Sequence, residues 1–429
     1  MQMLKTNSKT VAIIGLGYVG LPLSLLFLSK NFQVVGIDLD IEKINKLEGL
    51  TEFQKKKVKD ALIAKKFIAT SNYDAVRDVD IVVICVPTPL NENGKPNLSY
   101  IIDVGNKLQK RLQKGQLIIL ESSSYPGTTR DVLTPILEKS GLMVGKDIFV
   151  SYSPERIDPG NLQYKIEEIP KIISGMSNEC LNKAEQIYSK VFDHVIKVSS
   201  PEIAEMAKIL ENSYRFINIS FIDEMAILCD YLKIDIWEVI ESASTKPFGF
   251  SPFNPGPGIG GHCIPVDPLF LQWKLEETGM KSEFIGLAEM GNEKIQNHIV
   301  SQIEKINDNT LVNKEILICG VTYKKDSKDI RNSPAIQIIE SLLRRGATVS
   351  FYDPFINELI LSNKIHLIST PITKKILNKA DCVIILTDHS SLPIDNILKF
   401  SKLIYDTRNM TSNLIGEAKV IRLGGGEWL

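Results

Sequence analysis

The chain has 429 residues, of which 44% are hydrophobic and 24% charged, a composition typical of soluble globular proteins. Its 50 Lys and Arg residues balance 51 Asp and Glu residues, and this lack of a basic excess argues against nucleic acid as a partner. No segment approaches the roughly 20 apolar residues of a membrane span, and the apolar run near the N-terminus lacks a signal-peptide cleavage pattern. We therefore expect a cytoplasmic protein of about two to three domains that binds neither nucleic acid nor membrane.

The first predicted elements are a strand, a glycine turn, a helix and a second strand, in the segment TVAIIGLGYVGLPLSLLFLSKNFQVVGIDLD. Gly15, Gly17 and Gly20 form GxGxxG directly after an apolar run, and Asp38 ends the next apolar run. In dinucleotide-binding domains such glycines let a pyrophosphate approach the helix N-terminus, and the acid accepts hydrogen bonds from the adenosine ribose. The pattern predicts an NAD site, and the alternative is a glycine-rich turn without a ligand.

Three further strands are predicted in the apolar runs at 80–89, 116–124 and 146–155, each of which ends in small, polar or proline residues. Ligands bind at the carboxyl ends of the strands in doubly wound sheets. The runs therefore bring candidate site residues to that edge of the sheet, namely Pro87, Thr88, Ser123 and Glu155.

Residues 201–232 are predicted to form one long helix, because a proline suits its first position and apolar residues recur at helical spacing nearly all round. Glu205, Lys208, Asn212 and Arg215 form a polar stripe along one face. We expect Glu205 and Arg215 to be solvated surface residues. Lys208 and Asn212 are better functional candidates, because so apolar a helix suits a buried interdomain or dimer element.

The C-terminal segment KEILICGVTYKKDSKDIRNSPAIQIIESLLRRGATVSFYDP repeats the order strand, loop, helix, strand. Its loop lacks GxGxxG and carries Tyr323, Lys324 and Arg331 instead. A basic, aromatic loop suits a second phosphate-bearing ligand, in which Lys324 meets a phosphate and Tyr323 packs against it or the base. Ordinary surface charge is the alternative for Lys324 and Arg331.

The predicted fold class is therefore α/β, with two Rossmann-like doubly wound domains joined by a long central helix and a helical dimerisation region. We place an NAD-binding domain at 1–198, a central helical and dimerisation domain at 199–305, and a second Rossmann-like domain, for another phosphate-bearing ligand, at 306–429.

A loop in the central segment, NPGPGIGGHCIPVDP, packs four glycines and four prolines around Cys263. Glycine permits close backbone approach and proline fixes φ. We therefore expect this loop to follow the surface of a group that it wraps around. A thiolate adds readily to a carbonyl carbon and can form a hydrolysable thioester, so a catalytic nucleophile is one interpretation of Cys263. The alternatives are a metal site formed by His262, Cys263 and Asp267 and a merely structural thiol.

Several segments in one order carry a resemblance over nearly the whole chain: GLGYVGLPLS, CVPTPL, SPERIDPGN, AKILENSYRFINISFIDE, GPGIGGHCIPVDP and GVTYKKDSKDIRNSPA. They resemble the UDP-glucose/GDP-mannose dehydrogenase family. Within that family SPERIDPGN with IPKIISG, KPFGFSPFNPGPG, and the tyrosine in GVTYKKD are similar to UDP-N-acetylglucosamine 6-dehydrogenases and their N-acetylhexosamine relatives.

The resemblance implies NAD-dependent oxidation of the C6 hydroxyl of a UDP-N-acetylhexosamine, with UDP-GlcNAc as first choice, to the uronic acid. The reaction would pass through a Cys263 thiohemiacetal and thioester and would supply surface-polysaccharide precursors. UDP-glucose, UDP-ManNAc and UDP-GalNAc stay open as substrates. The rival classes are a single-step β-hydroxyacid or 6-phosphogluconate-type dehydrogenase and a non-catalytic NAD or nucleotide sensor. We expect a homodimer or higher homo-oligomer through the 201–232 helix.

The resemblance also supports roles for individual residues. Lys208 would stabilise the alkoxide and the oxyanion, Asn212 would hold the water or oxyanion, and either Glu155 or Asp267 would be the hydrolytic base. The alternative for Glu155 is a salt bridge to Arg156. The predicted catalytic residues are Cys263, Lys208, Asp267, Asn212, Glu155 and Ser123. The predicted NAD contacts are Gly15, Gly17, Tyr18, Val19, Gly20, Asp38, Lys43, Pro87, Thr88, Ser123 and Arg331. The predicted substrate contacts are Glu155, Arg156, Lys208, Asn212, Phe253, Gly258, Gly260, Tyr323 and Lys324.

Overall fold

The computed structural model describes residues 9–40, 60–61, 66–157, 164–362 and 364–426, and it divides into two compact units. The first comprises Met1–Glu211 with Leu269–Met280, and the second comprises Asn212–Pro268 with Lys281–Leu429. Residues of the predicted middle domain, 199–305, occur in both units, and the three-domain boundaries stay a prediction.

A parallel sheet of six strands forms the centre of the first unit. Its strands are β1 (Thr10–Ile14), β2 (Gln33–Ile37), β3 (Phe67–Thr70), β4 (Ile81–Ile84), β5 (Leu117–Leu120) and β6 (Phe149–Tyr152). They are ordered β3-β2-β1-β4-β5-β6, the order of a doubly wound dinucleotide-binding sheet. Four of them are buried along their whole length, which explains why they appear in the sequence as continuous apolar runs rather than alternating ones.

Helices and one small strand pair surround this sheet. The helices are α1 (Gly20–Ser29), α2 (Ser99–Leu108), α3 (Thr134–Glu138) and α4 (Asn178–Tyr188), with 3-10 turns at Tyr73–Asp78 and Ile166–Glu168 and a π-helical turn at Thr128–Leu133. The strand pair is β7 (Lys171–Ile173) with β8 (Val195–Lys197), which run parallel. Phe27 of α1 and Tyr188 of α4 are fully buried in the core of this unit.

The predicted long helix is confirmed as α5 (Pro201–Leu232), a single helix of 32 residues. It is followed by α6 (Ile236–Ser244), α7 (Asp267–Glu276) and α8 (Glu283–Ile306). α5 and α8 pack closely at Gly291, where an added Cβ would lie 2.2 Å from the hydroxyl of Ser220. Within the residues described, neither these helices nor any other is long and apolar enough to cross a membrane.

A second parallel sheet, of five strands, forms the centre of the second unit. The elements in chain order are β9 (Glu315–Cys319), α9 (Pro334–Arg344), β10 (Thr348–Tyr352), β11 (Glu358–Ile360), β12 (His366–Ile368), α10 (Lys374–Lys379), β13 (Cys382–Ile385), α11 (Ile394–Phe400), β14 (Leu403–Asp406) and β15 (Lys419–Arg422). The sheet order is β10-β9-β13-β14-β15, and β11 and β12 form a separate antiparallel pair.

The two sheets begin with the same hydrogen-bonding pattern. In the first, the amide of Leu16 after β1 donates to Asp38 Oδ2 at 2.7 Å. In the second, the amide of Val321 after β9 donates to Asp353 Oδ2 at 2.8 Å. In both cases an acid that follows the neighbouring strand holds the first loop of a strand–loop–helix–strand unit. The predicted α/β class with two Rossmann-like sheets and a long central helix is thereby confirmed.

Candidate active site

The GxGxxG loop has the shape that a pyrophosphate requires. Gly15 has φ +90°, and a Cβ there would lie 2.6 Å from the carbonyl oxygen of Cys85. A Cβ on Gly20 would lie 1.9 Å from the carbonyl oxygen of Gly15, so this position must also lack a side chain. Around Gly17, in contrast, no heavy atom of the described residues other than its chain neighbours lies within 4 Å of an added Cβ. The loop is therefore tight at both ends and open in the middle, where a phosphate group could reach the backbone.

The surroundings of this loop also fit an anionic dinucleotide. The first turn of α1 contains no acidic residue, so nothing opposes an anion at the positive end of the helix dipole. Asp38 is half-buried after β2, where its carboxylate accepts hydrogen bonds from the amides of Leu16 and Asp40 at 2.7 and 2.9 Å. Tyr18 is exposed, and Val19 is the residue that precedes α1. The predicted contact Lys43 lies outside the described residues.

The loops after β4 and β5 hold three more predicted cofactor residues. Pro87 is exposed and Thr88 is buried in the loop after β4, and Ser123 is half-buried in the loop after β5. Their contacts with NAD stay predictions.

Lys208 and Glu155, predicted from separate motifs, meet in the first unit. The Lys208 amine donates a hydrogen bond to the main-chain carbonyl of Glu155 at 2.5 Å. The Glu155 carboxyl group is 7% exposed; its Oε1 accepts from the amide of Ile157, and its Oε2 has no hydrogen-bond partner among the described residues. The structure does not pair Glu155 with Arg156, because the Arg156 guanidinium bonds to Glu211 at 2.7 Å.

A buried ionic cluster lies beside Glu155. The Lys171 amine is 2.7 Å from Glu121 Oε2 and 3.8 Å from Glu155 Oε2. The hydroxyl of Tyr188 donates to Glu121 Oε1. These residues were not predicted as site residues. A lysine between apolar neighbours in IPKII is the signal that could have revealed a buried charge, because unpaired buried charges are costly.

Glu205 was predicted to be a solvated surface residue, and this prediction is wrong. It is fully buried, and its carboxylate accepts hydrogen bonds from the amides of Gly127 and Thr129 at 2.6 and 2.8 Å and from the hydroxyl of Thr129 at 2.7 Å. Burial raises the pKa of Glu205 to about 7, although these hydrogen bonds act to lower it. The residue fixes α5 to the loop after β5 that contains Ser123. Arg215 is exposed in this chain, as predicted.

In the second unit, Cys263 lies in a turn that leads into α7. Its carbonyl oxygen accepts hydrogen bonds from the amides of Val266 at 3.1 Å and Asp267 at 2.8 Å. The side chain of Cys263 is exposed, whereas Asp267 is buried and accepts a hydrogen bond from the Asn212 amide at 2.6 Å. The predicted residues Cys263, Asp267 and Asn212 are thus brought together, with the carboxylate held in place one turn from the thiol.

His262 does not complete a metal site. Burial and the guanidinium of Arg331 lower its pKa, against the opposing effect of Asp329. Across the described ranges, the structure forms no group of three or more His, Cys, Asp or Glu side chains that could hold a metal ion.

At two glycines of the cysteine loop, Gly258 and Gly260, neighbouring atoms of the protein leave no room for a side chain. Gly258 has φ +116°, and a Cβ there would lie 2.7 Å from Asn292 Oδ1. A Cβ on Gly260 would lie 2.6 Å from the Cβ of Tyr323 and 2.7 Å from the carbonyl oxygen of Asn332. The loop therefore wraps the protein's own residues, including the predicted substrate residue Tyr323. Substrate contacts by Gly258 and Gly260 stay predictions.

The remaining predicted residues of the second unit surround the same loop or follow β9. The amide of Gly261 donates to the carbonyl oxygen of Arg331 at 2.9 Å. The Arg331 guanidinium itself bonds to Asp329 at 2.6 Å, and its contact with NAD stays a prediction. Lys324 is half-buried, and Phe253 packs edge-on against Tyr214, with ring centroids 5.9 Å apart.

Two charged residues beside the loop were missed. Asp223 of α5 is fully buried; its Oδ1 accepts from the amide of Gly256 at 2.9 Å, and burial raises its pKa to about 8. A Cβ on Gly256 would lie 2.6 Å from a terminal nitrogen of Arg408, whose Nε donates to the carbonyl oxygen of Leu386 at 3.0 Å. The acid within the apolar stretch SFIDEMAI was the available signal for Asp223.

Family models match three consecutive parts of the chain. Residues 9–192 match the NAD binding domain of the UDP-glucose/GDP-mannose dehydrogenase family, residues 202–294 its central domain, and residues 317–413 its UDP binding domain. The chain belongs to this family. The NAD cofactor predicted from the glycine loop is confirmed, and the second nucleotide domain corresponds to the UDP-binding part of the family.

Individual relatives cover nearly the full length of this dehydrogenase. It is 31% identical over 446 residues to UDP-N-acetyl-D-mannosamine dehydrogenase of Methanococcus vannielii, which spans 99% of both chains. It is 32% identical over 410 residues to UDP-N-acetyl-D-glucosamine 6-dehydrogenase of Pseudomonas aeruginosa, which spans 93% of this chain and 96% of the relative. Among solved structures, the UDP-D-ManNAc dehydrogenase of Pyrococcus horikoshii matches with a TM-score of 0.88 and 29% identity, over 98% of this chain and 100% of that chain.

Proposed function

We propose that this dehydrogenase oxidises the C6 hydroxyl of a UDP-N-acetylhexosamine, with UDP-GlcNAc preferred, to the uronic acid. The observation that carries the proposal is the exposed Cys263 thiol next to the buried Asn212–Asp267 pair. A single-step alcohol dehydrogenase needs no nucleophile, whereas oxidation of an aldehyde to an acid requires one to add to the carbonyl carbon. UDP-ManNAc is the second candidate substrate, because relatives named for that sugar cover nearly the whole chain.

The overall reaction consumes one sugar alcohol, two NAD⁺ and one water, and produces one carboxylate, two NADH and three protons. When bound, NAD⁺ accepts a hydride equivalent from the sugar carbon in each oxidation. The residues that would hold it are those of the open glycine loop, with Asp38 at the adenosine ribose. The carboxylate of Asp38 repels a 2′-phosphate and would favour NAD⁺ over NADP⁺.

The chain's own residues would act at the sugar carbon. The ammonium group of Lys208 stabilises the alkoxide of the first step and the oxyanion that forms when the Cys263 thiolate adds to the aldehyde. Oxidation of the thiohemiacetal gives a thioester on Cys263. Glu155 then takes a proton from a water molecule as the water oxygen bonds to the carbonyl carbon. The C–S bond breaks, and the thiolate leaves with the acid as product.

The test is an anaerobic assay with NAD⁺ and UDP-GlcNAc, UDP-ManNAc, UDP-GalNAc or UDP-glucose, in which NADH and the sugar product are counted together. We expect two NADH per sugar, without free aldehyde, and the highest kcat/KM for UDP-GlcNAc. One NADH per sugar would identify a single-step dehydrogenase, and binding without turnover would identify a nucleotide sensor. A higher kcat/KM for UDP-glucose would contradict the N-acetyl assignment.

The Cys263→Ala variant tests the nucleophile. It should bind NAD⁺ and UDP-sugar, because it leaves the glycine loop, Tyr323 and Lys324 unchanged, but it should form no acid. Cys263→Ser should accumulate a slowly released covalent adduct, visible by intact-protein mass spectrometry, because an alkoxide is a poorer leaving group than a thiolate. Cys229→Ala, which changes a buried cysteine, is the matched control. Uronic acid formation by Cys263→Ala at the parent rate would contradict the assignment.

We also propose that the protein is a homodimer or higher homo-oligomer through α5 and α8. On α5, Tyr214, Phe221 and Leu228 recur every seven residues and are 49%, 57% and 44% exposed. On α8, Phe284 and Met290 are 69% and 68% exposed. Such a large apolar surface is unusual on a monomer.

Light scattering after size exclusion tests this assembly. Phe221→Glu should reduce the molar mass to that of one chain, because it buries a charge in the interface. Ile415→Glu, at a residue 99% exposed outside these helices, should leave the mass unchanged. A wild-type protein with the mass of one chain would contradict the proposal.

A further inference from the structure

Lys171 is a charged residue in the interior of the first unit, where it is 4% exposed. Its amine donates hydrogen bonds to Glu121 Oε2 at 2.7 Å and to the carbonyl oxygen of Pro154 at 3.2 Å, and it lies 3.8 Å from Glu155 Oε2. An ammonium group is buried at a large cost unless it is paired. Packing alone therefore does not explain why a lysine occupies this buried position.

The cluster around Lys171 contains one ammonium and two carboxyl groups. Burial lowers the pKa of Lys171, but the carboxylates of Glu121 and Glu155 raise it more, so that its pKa lies above the ordinary value and the group stays charged. Burial raises the pKa of Glu121, which Lys171 and the Tyr188 hydroxyl oppose. One cation thus serves both acids, with a hydrogen bond to Glu121 and a charge interaction with Glu155.

The same arrangement fixes the main chain that carries Glu155. Lys171 bonds to the carbonyl oxygen of Pro154, and Lys208 bonds to that of Glu155. The amide of Ile157 holds Oε1 of the Glu155 carboxylate, while Oε2 lies buried without a hydrogen-bond partner in the described part of the chain. A carboxylate oxygen held in this way can accept a proton from a ligand or a water molecule.

We propose that Lys171 is a positioning residue for hydrolysis of the Cys263 thioester: its ammonium, anchored by Glu121, holds both the carboxylate and the main chain of Glu155 in place. This inference rests on the role proposed above for Glu155. The step it serves is the transfer of a proton from water to Glu155 as the water oxygen bonds to the thioester carbon and sulfur leaves as thiolate.

The groups that act on the Glu155 carboxyl come from several elements. They are Lys171 of β7, Glu121 after β5, Tyr188 of α4 and Cys85 after β4, while Lys208 of α5 reaches its main chain. Only Lys171 and Lys208 carry positive charge in this set. Of these groups, Lys171 therefore supplies the positive charge at the Glu155 carboxyl group itself.

The experiment compares Lys171→Met with Lys171→Arg. In Lys171→Met the acyl-enzyme on Cys263 should accumulate while the first burst of NADH forms at the parent rate, because hydrolysis slows and the two oxidations do not. Lys171→Arg keeps the charge and should restore most of the hydrolysis rate. Rapid-quench intact-protein mass spectrometry measures the acyl-enzyme, and NADH formation measures the burst and kcat. A purely structural role would slow the burst and the hydrolysis alike.

Lys171→Met leaves Glu121 buried without its cation, which can destabilise the fold. A second variant is therefore needed to separate misfolding from an effect on hydrolysis. The double variant Lys171→Met/Glu121→Gln removes both charges, and such neutral replacements of a buried pair often preserve stability. It should retain NAD⁺ affinity and a cooperative melt and should also accumulate acyl-enzyme. Tyr188→Phe keeps all three charges and should hydrolyse the acyl-enzyme at the parent rate.

A folded double variant that hydrolyses the thioester at the parent rate, without accumulated acyl-enzyme, would overturn the inference. Failure of the proposed function has a different signature, because it appears in Glu155→Gln. If Glu155→Gln accumulates acyl-enzyme while the double variant does not, only the role of Lys171 is wrong. If Glu155→Gln hydrolyses the thioester at the parent rate, the role of Glu155 itself is wrong.

Discussion

Replacement of Gly260 by alanine should disable the cysteine loop without touching the thiol. A Cβ at this position would lie 2.6 Å from Tyr323 Cβ, 2.7 Å from the carbonyl oxygen of Asn332 and 2.8 Å from Pro334 Cδ. Carbon atoms in contact are about 3.5 Å apart or more, so the first contact is too short by about 0.9 Å. None of the three atoms belongs to the far end of a flexible side chain, and the loop itself must therefore move.

The magnitude follows from this displacement. Overpacking of this kind costs about 1–3 kcal/mol of folding free energy. Cys263 is three residues further along the loop, and a displacement of about 1 Å of a reacting group can cost about 10²-fold in rate. We therefore expect Gly260→Ala to fold with a lower urea midpoint, to bind NAD⁺ normally and to lose about 10²-fold in kcat.

The assay combines NADH formation with alkylation of the thiol. All six cysteines lie in the described part of the chain, and Cys263 alone is exposed, so the first iodoacetamide adduct reports on its surroundings. Its rate should change in Gly260→Ala. Gly286→Ala is the matched control, because outside its own helix backbone no heavy atom of the described residues lies within 4 Å of an added Cβ, and it should stabilise the protein by about 0.5–1 kcal/mol. Parent stability, turnover and alkylation rate in Gly260→Ala would refute the reasoning.

Three further outcomes are expected. Asp38→Asn should reduce the preference for NAD⁺ over NADP⁺, measured as the ratio of kcat/KM values, because a neutral amide repels the 2′-phosphate less; a wild-type enzyme that uses both cofactors equally would contradict this. Glu205→Gln should lower the free energy of unfolding by about 1–3 kcal/mol, because the glutamine NH₂ group cannot accept a hydrogen bond and leaves a buried donor unpaired; an unchanged urea midpoint would count against it. The pKa of Asp223 is raised from 3.8 to about 8 in the folded protein, so the folded state binds more protons and stability falls as pH rises between about 4 and 8. Asp223→Asn should therefore flatten the dependence of the urea midpoint on pH in that range, and an unaltered slope would show that Asp223 does not titrate there.

Local patterns in the sequence were sufficient for the main elements and for singling out the Cys263 thiol. The strands of the first sheet are buried, so their apolar runs are continuous, and α5 follows from helical spacing over 32 residues. GxGxxG could be interpreted because it directly follows a strand and leads into a helix, as the dinucleotide-binding loop does. Cys263 stood out because four glycines and four prolines surround it in the sequence.

The tertiary structure decided which polar groups are buried and which residues they meet. Glu205 and Arg215 belong to one stripe in the sequence, yet Glu205 is buried because it accepts hydrogen bonds from Gly127 and Thr129, more than 70 residues away. Lys171 likewise meets Glu121, 50 residues earlier in the chain. Helical periodicity specifies a face but not what covers it, and the cost of burying a charge is offset only by partners that the fold brings from elsewhere. The ionic surroundings of Glu155 therefore depend on long-range packing, which no local pattern contains.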